Sequence, residues 1–284
     1  MIFGEIPVSG AAGARLAHGV RKEGLSLHKG HILTSTDEAA LTAAGVATVV
    51  AVRLEEGDIG EDEAAARIAA AIAPDHLTFT PPATGRINLH AVANGLFVAD
   101  RAAIDRFNRV DPAITLATLP DHASIAAGDM VATVKIIPLA VPGELAERAA
   151  AVLAEGRALE VKPFAAHRVA VVATELPTLK VSVMDKTRRL FEQRLMPSAS
   201  RLSEEFRVPH RADEVAAATR KAASENDLVV VFGASAVTDA NDVIPAAIRA
   251  AGGVVEHVGT PVDPGNLPVL GPLGAGPGLG APGC

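Results

Sequence analysis

The stretch Leu228-Val229-Val230-Val231-Phe232 is apolar at every position, and so is Val169-Ala170-Val171-Val172-Ala173 earlier in the chain. A strand that is apolar without alternation is typical of a parallel sheet with both faces covered. Helical patterns accompany these strands at Asp185–Leu195, Asp213–Ser224 and Asp242–Ala251. We therefore expect an α/β fold whose C-terminal part is a doubly wound, mostly parallel sheet.

The first part of the chain has a different pattern. Short apolar runs are separated by Gly, Pro, Asn and Asp, and they predict strands of a small sheet or barrel-like subdomain. The predicted strands of this subdomain are Gly95–Val98, Ile114–Leu119 and Met130–Ile137, and Val46–Val52 is predicted as a buried strand that precedes it. We place a domain boundary near Val161–Ala166, so that residues 1–165 form a smaller α+β, β-rich region and residues 166–284 form the α/β domain.

Composition excludes several classes of partner. The 284 residues carry a formal net charge of -7 and include 8 Phe but no Trp or Tyr, which argues against nucleic acid as a partner because phosphate contacts need cations and base stacking needs aromatic rings. The single cysteine, Cys284, cannot form an internal disulfide. No apolar run reaches the roughly 18 residues of a spanning helix, and no export signal is visible. We expect a cytoplasmic protein with no membrane partner.

Glycine, hydroxyl and acidic residues follow the strand that ends at Phe232. Gly233 allows close approach of the backbone, while Ser235 supplies a hydroxyl and the helix after Asp242 starts with free amide groups. This combination predicts a phosphate-binding turn. Asp239 and Asp242 would repel phosphate unless a cation lay between them, so the pair also suggests Mg²⁺ with Asp242 as a ligand. Alternatively, Asp242 is a plain N-cap and Ser235 a plain turn residue.

Four turns occur in the order that is typical of the molybdopterin-binding domain family, the MogA/MoeA type. They lie at Val169–Leu176, at Phe232–Ser235 with Asp242–Pro245, at Val262–Asn266 and at Gly280–Cys284. From about Arg168 to its end the chain resembles this family, and the resemblance implies a molybdopterin-binding fold and a role in molybdenum cofactor biosynthesis.

The resemblance also implies which residues form the site for molybdopterin, a pterin phosphate, or for a molybdenum cofactor intermediate. It assigns catalytic roles to Asp242 and Asp185, with Mg²⁺ on Asp242. The residues expected to contact the cofactor are Thr174, Gly233, Ala234, Ser235, Asp239, Pro264, Gly265, Asn266, Pro282 and Gly283.

The chain departs from the family pattern at three places. Ala234 and Ala236 stand where the family has glycine, and Glu175-Leu176 stands where Gly-Asp is expected. A methyl group at a turn disfavours positive φ and hinders close approach of a phosphate. These departures argue against catalysis more than against binding.

The N-terminal region carries a second resemblance. Lys29–Leu33 and Ala44–Val52 resemble a segment that precedes this domain in molybdenum-insertion proteins. With Gly57–Glu63 and Ala132–Pro138, the arrangement looks like bacterial proteins in which this region is fused to a cytidylyl- or guanylyltransferase-like nucleotidyltransferase. The resemblance implies a homo-oligomeric transferase of which this chain is a front part, truncated at Cys284. The acidic residues of Gly57–Glu63 we interpret as helix capping.

Two other functions stay open on the sequence. One is a scaffold that keeps the fold for oligomer assembly without a working pocket, and the other is a CinA-like nucleotide pyrophosphatase on the same fold. His210 follows Val208-Pro209, where adenylylating members of the family carry an acid. We interpret His210 as a surface histidine.

Overall fold

The computed structural model describes residues 1–22, 24–262 and 267–273, and the backbone of residues 276–282. The chain divides into two compact units, Met1–Pro163 and Phe164–Cys284, here called unit 1 and unit 2. In the part of the chain so described, no helix combines the length and the apolar character that crossing a bilayer requires.

Unit 1 contains short strands and four helices among its described residues. The strands are β1 (Ile2–Pro7), β2 (Arg15–Leu16), β3 (Val20–Lys22), β4 (Leu25–Leu27), β5 (Thr48–Arg53), β6 (Asp58–Gly60), β7 (Leu77–Phe79), β8 (Arg86–Ala91), β9 (Gly95–Ala99), β10 (Ile114–Thr118), β11 (Ala123–Ile125), β12 (Met130–Ile136), β13 (Ala140–Pro142) and β14 (Leu159–Pro163). The helices are α1 (Ser35–Ala43), α2 (Glu61–Ala69), α3 (Arg101–Asn108) and α4 (Gly143–Ala154).

The predicted strands Gly95–Val98, Ile114–Leu119 and Met130–Ile137 lie in two sheets that share a core, whereas Val46–Val52 is β5 in a third sheet with β1 and β2. Strands β10, β12, β8 and β7 make one antiparallel sheet, and β11, β9 and β14 make another. Phe97 of β9, Phe107 of α3 and Leu153 of α4 are buried in one cluster with residues of both sheets. Antiparallel strands with one face on this core explain the alternation in β8, where Ile87 and Leu89 are buried.

Unit 2 contains one six-stranded sheet. Its strands are β15 (Arg168–Glu175), β16 (Arg201–Pro209), β17 (Leu228–Gly233), β18 (His257–Val258), β19 (Val269–Leu273) and β20 (Gly276–Pro282). Its helices are α5 (Val181–Leu195), α6 (Ala212–Glu225) and α7 (Val243–Ala250).

The sheet of unit 2 is mixed, with the order β16-β15-β17-β20-β19-β18. The pairs β16/β15, β15/β17 and β17/β20 are parallel, whereas β20/β19 and β19/β18 are antiparallel. Val169 and Val171 pack in a cluster with Met184 of α5, while Ala170 and Val172 pack with residues of α6 and α7. Helices therefore cover both faces, which is why β15 is apolar without alternation.

Two elements of unit 2 differ from the prediction, one missed strand and one helix that starts earlier. Strand β16 was not predicted, because its inner residues are only half buried at the sheet edge and its sequence Arg201–Pro209 mixes charged with apolar residues. Helix α5 starts at Val181, four residues before the predicted Asp185. Its N-cap, Lys180, makes no side-chain capping bond, so no capping residue marks the start in the sequence.

Candidate functional site

The ends of three parallel strands meet at one edge of the unit 2 sheet. Strands β16 and β17 lie on opposite sides of β15, so the strand order reverses at β15, and ligands of open α/β sheets bind at such a point. Thr174 lies near the end of β15 and Gly233 at the end of β17. Pro282 ends β20 and is in register with Gly233. The structure thus brings three of the predicted turns to neighbouring strand ends.

Thr174 links the ends of β15, β16 and β17. Its side chain is buried, with 1% of the residue exposed, and its Oγ1 accepts the Ala234 N–H at 2.6 Å. Thr174 Oγ1 and His210 Nδ1 share a second hydrogen bond of 2.8 Å. If the hydroxyl donates, a neutral His210 ring carries its proton on Nε2, and the half-buried His210 keeps that donor for a ligand. If Nδ1 donates instead, the remaining hydroxyl proton belongs to the buried Thr174 side chain, which a ligand cannot reach.

Gly233 is required by close packing. A Cβ at this position would lie 2.9 Å from the carbonyl oxygen of Ser235 and 3.4 Å from Cγ1 of Ile244. The backbone does not take positive φ at Ala234 or Ala236. The methyl groups of Ala234 and Ala236 therefore do not conflict with a left-handed backbone. The argument against phosphate binding that rested on positive φ at these positions is wrong.

Asp242 caps helix α7. Its Oδ1 accepts the Val243 N–H at 2.7 Å, and its Oδ2 accepts the Thr238 N–H at 3.0 Å and the Thr238 hydroxyl at 3.3 Å. These bonds hold the pKa of Asp242 below its usual range, the Thr238 amide first, then the Val243 amide, with a smaller contribution from His210. The N-cap alternative for Asp242 is therefore the geometry that the structure has.

The start of α7 offers fewer free amide groups than expected. The Val243 N–H donates to Asp242, Pro245 has no N–H, and the Ala246 N–H donates to the Asp242 carbonyl at 3.0 Å. Of the first four positions, only Ile244 keeps an amide for an anion. The start of α7 therefore offers a phosphate fewer amide donors than a helix N-terminus normally provides.

The acidic residues at this edge do not fit a protein-held Mg²⁺ ion. Both carboxylate oxygens of Asp242 are engaged, and Asp239 Oδ1 accepts the Asn241 N–H at 2.7 Å. Among the described residues, no group of three or more His, Cys, Asp and Glu side chains is placed to hold a metal ion. Mg²⁺ needs several oxygen ligands in an octahedron, so no step below depends on it.

Asp185 lies on α5 and contacts the edge strand. Its carboxylate accepts a hydrogen bond from Arg207 of β16 at 2.6 Å, and Arg207 also pairs with Glu205 at 3.0 Å. Glu205 and then Asp185 raise the pKa of Arg207. The contacts described for Asp185 are those of an ion pair between α5 and β16.

The cavity that the described residues form beside Thr174 and Gly233 is small, with a volume of about 30 Å³. Ser235 and Asp239 are exposed on the turn. Arg249 Nη1 donates to the Ala240 carbonyl at 2.7 Å and brings a positive charge beside the turn.

His210 and Arg249 are the residues that the sequence analysis missed here. His210 is half buried and bound to Thr174, so its interpretation as a surface histidine is wrong. Recognising β16 as a strand would have placed His210 beside Thr174 at the carboxyl end of the sheet. Pro264, Gly265, Asn266 and Gly283 lie outside the described residues, and Pro282 is described by its backbone alone.

Comparisons with known proteins give weak similarities. The family model of a domain of unknown function, DUF8806, matches residues 5–53. No curated protein matches the chain. The chain is similar to the structure of the protein CinA from Thermoplasma acidophilum, with 15% identity, coverage of 42% of this chain and 89% of that chain, and a TM-score of 0.35.

Two further solved structures come from archaeal proteins of molybdopterin and molybdenum cofactor biosynthesis. The MoeA protein from Pyrococcus horikosii is 15% identical, with coverage of 99% of this chain and 70% of that chain and a TM-score of 0.31. The protein from Pyrococcus furiosus is 13% identical, with coverage of 100% and 57% and a TM-score of 0.26. Similarity at this level does not assign a function or a ligand to this chain.

Proposed function

We propose that unit 2 binds a phosphorylated pterin, molybdopterin or one of its biosynthetic forms, at the carboxyl edge of its sheet. The observation that carries the proposal is the hydrogen-bonded link between Thr174, His210 and the Ala234 amide at the point where the strand order reverses. Such a link joins three strand ends and, with the His210 proton on Nε2, leaves a donor for a ligand. The order of the four turns along the sequence supports a pterin phosphate as that ligand.

In this proposal the phosphate lies over the turn that starts at Gly233. The Nε2 donor of His210 and the exposed hydroxyl of Ser235 hold the phosphate oxygens, and Arg249 adds positive charge. Asp242 keeps the turn in shape by capping α7 and by holding Thr238. Binding needs no catalytic carboxylate, so the activity we propose is binding. Presentation to a nucleotidyltransferase and homo-oligomer assembly stay predictions.

The test is calorimetry of molybdopterin with the full chain and with the variant His210→Asn. Asparagine can keep a polar atom near the position of Nδ1, opposite Thr174, but it lacks Nε2. Loss of one hydrogen bond to a charged group is worth about 1.5–3 kcal/mol, so we expect binding to weaken roughly tenfold or more. A pterin without phosphate should bind more weakly than molybdopterin to the unaltered chain.

The matched control is His167→Asn. His167 is exposed and precedes β15, so it lies at the opposite edge of the same sheet. This variant should bind molybdopterin as the unaltered chain does. Equal weakening by both substitutions, or no binding to the unaltered chain, would contradict the proposal, and the second result would favour the scaffold.

A further inference from the structure

A cavity of about 530 Å³ opens in unit 1 and has charged walls. Its charged side chains come from four segments that are distant in the sequence. They are Arg15 of β2, Lys29 after β4, Glu61 and Asp62 at the start of α2, and Lys135 of β12. The volume lies in the range of small-molecule pockets.

Three segments of the N-terminal resemblance meet at this cavity. Lys29–Leu33, Gly57–Glu63 and Ala132–Pro138 each contribute lining residues. The proposed function in unit 2 uses none of them. The acidic residues of the second segment were interpreted as helix capping, but Glu61 and Asp62 also form part of the cavity wall.

The Arg15 side chain supplies the observation that points to an anion. It lines the cavity, and its guanidinium makes no hydrogen bond or ion pair with the residues that the structure describes. A charged donor group without a partner is costly where water is partly excluded, unless an acceptor meets it. Guanidinium groups present their donors in a planar fork that matches the oxygens of phosphate or carboxylate.

The neighbouring charges leave the cavity cationic. Glu61 is only 7% exposed, and burial is the main cause that raises its pKa. Lys135, Arg15 and Lys29 act in the opposite direction on that pKa, so all three cations are close enough to interact with Glu61. Lys135 Nζ lies 3.9 Å from Glu61 Oε2. Three cations thus face two carboxylates, of which Asp62 already accepts the Gly85 N–H at 2.6 Å.

A strained turn holds one wall in place. Thr84 has φ +51° and Gly85 has φ +68°. The Thr84 carbonyl accepts a hydrogen bond from Lys135 Nζ. Non-glycine residues with positive φ are uncommon and cluster at ligand sites, where the surroundings hold them. The turn therefore fixes Lys135 and Asp62 relative to the cavity.

We propose that this cavity binds a phosphate monoester, with Arg15, Lys29 and Lys135 on the phosphoryl oxygens. Three cations from separate segments suit a group with three terminal oxygens and up to two charges better than a carboxylate with two oxygens. The cavity is larger than a phosphate ion, so the organic part of the ester extends towards Glu61. This site lies within unit 1 and does not depend on the function proposed for unit 2.

The test measures binding of ribose 5-phosphate, inorganic phosphate, acetate and ribose to the full chain by calorimetry. The two phosphates should bind, whereas acetate and ribose should bind at least roughly tenfold more weakly. Arg15→Met and Lys29→Gln should each weaken phosphate binding roughly tenfold or more. Arg15→Met should not lower the thermal midpoint in phosphate-free buffer, because it removes a charged donor group that has no partner among the described residues.

Charge-matched controls are Arg101→Gln and Lys162→Gln, which remove exposed cations of unit 1 outside the cavity lining. They should bind both phosphates within twofold of the unaltered chain. Arg15→Met should weaken phosphate binding equally in the unaltered chain and in the His210→Asn background, which separates the two proposals. The proposal is overturned if the unaltered chain does not bind phosphate or binds acetate equally well. It is also overturned if Arg15→Met binds phosphate as tightly as the unaltered chain. If Arg15→Met does not fold, Lys29→Gln decides alone, because Lys29 is exposed.

Discussion

The carboxyl edge of the unit 2 sheet and the cavity of unit 1 differ in how their sequence patterns relate to the polar groups that the structure leaves for a ligand. The turn after Gly233 has the local pattern of a phosphate site, yet its carboxylates and several of its amides bind one another. In unit 1, residues with no shared local pattern meet around a cavity, and the Arg15 guanidinium lacks a partner among the described residues. Polar groups close together in the chain tend to satisfy each other, whereas groups brought together by the fold are more easily left for a ligand.

The substitution with the largest expected effect is Gly85→Ala in unit 1. A Cβ there would lie 2.8 Å from both Glu61 Oε2 and the Ile136 carbonyl, and the residue has φ +68°. We expect a loss of about 3 kcal/mol in the free energy of unfolding, from strain and overpacking together. Gly233→Ala in unit 2 should cost about 2 kcal/mol, because its φ is ordinary but a Cβ would lie 2.9 Å from the Ser235 carbonyl oxygen, so the backbone of the turn has to shift.

Urea denaturation followed by circular dichroism measures both effects, since the chain has no Trp or Tyr for fluorescence. The control is Gly128→Ala, which has φ +93° but nothing within 4 Å of a Cβ, and which should cost about 1 kcal/mol from φ alone. If Gly85→Ala costs no more than this control, the wall of the unit 1 cavity is not tightly packed.

The intermediate effect is that of Asp242→Ala in unit 2. Loss of the N-cap should lower the free energy of unfolding by about 1 kcal/mol at pH 7. Because the pKa of Asp242 is lowered in the folded chain, its stabilisation is complete above the unfolded pKa near 4 and is lost as the pH falls through the folded pKa. The difference between variant and unaltered chain should therefore shrink below pH 4 in denaturation curves.

Asp242→Asn serves as the control, because an amide oxygen still accepts from the amides at the turn. It should cost less than the alanine substitution at pH 7. If alanine costs nothing and abolishes pterin binding, Asp242 contacts the ligand, as the family resemblance implies, and the capping role would be secondary.

The smallest effect is expected for Asp185→Asn. The Asp185 side chain is 48% exposed, and Arg207 keeps its pair with Glu205, so the loss should be less than about 0.5 kcal/mol. Molybdopterin binding measured by calorimetry should also stay within twofold, as for the control Glu192→Gln on the same helix. If Asp185→Asn strongly weakens molybdopterin binding and Glu192→Gln does not, Asp185 belongs to the binding site of unit 2, and its carboxylate is not merely part of an ion pair.

Local patterns predicted the central strands and the helices of unit 2. The buried strands β15 and β17 and the helices α6 and α7 are confirmed within one or two residues, because burial on both faces leaves continuous apolar runs. Strand β16 was missed because an edge strand keeps charged residues. With β16 missing, His210 could not be placed beside Thr174.

The sequence by itself determined the α/β class and the apolar strands of unit 2, since these depend on neighbours a few positions apart. Only the tertiary structure decided that Thr174 bonds to His210 and that Arg15, Lys29, Glu61 and Lys135 surround one cavity. Such contacts join residues tens of positions apart, and their burial and charge depend on how strands and helices pack. A local pattern carries no information about that packing.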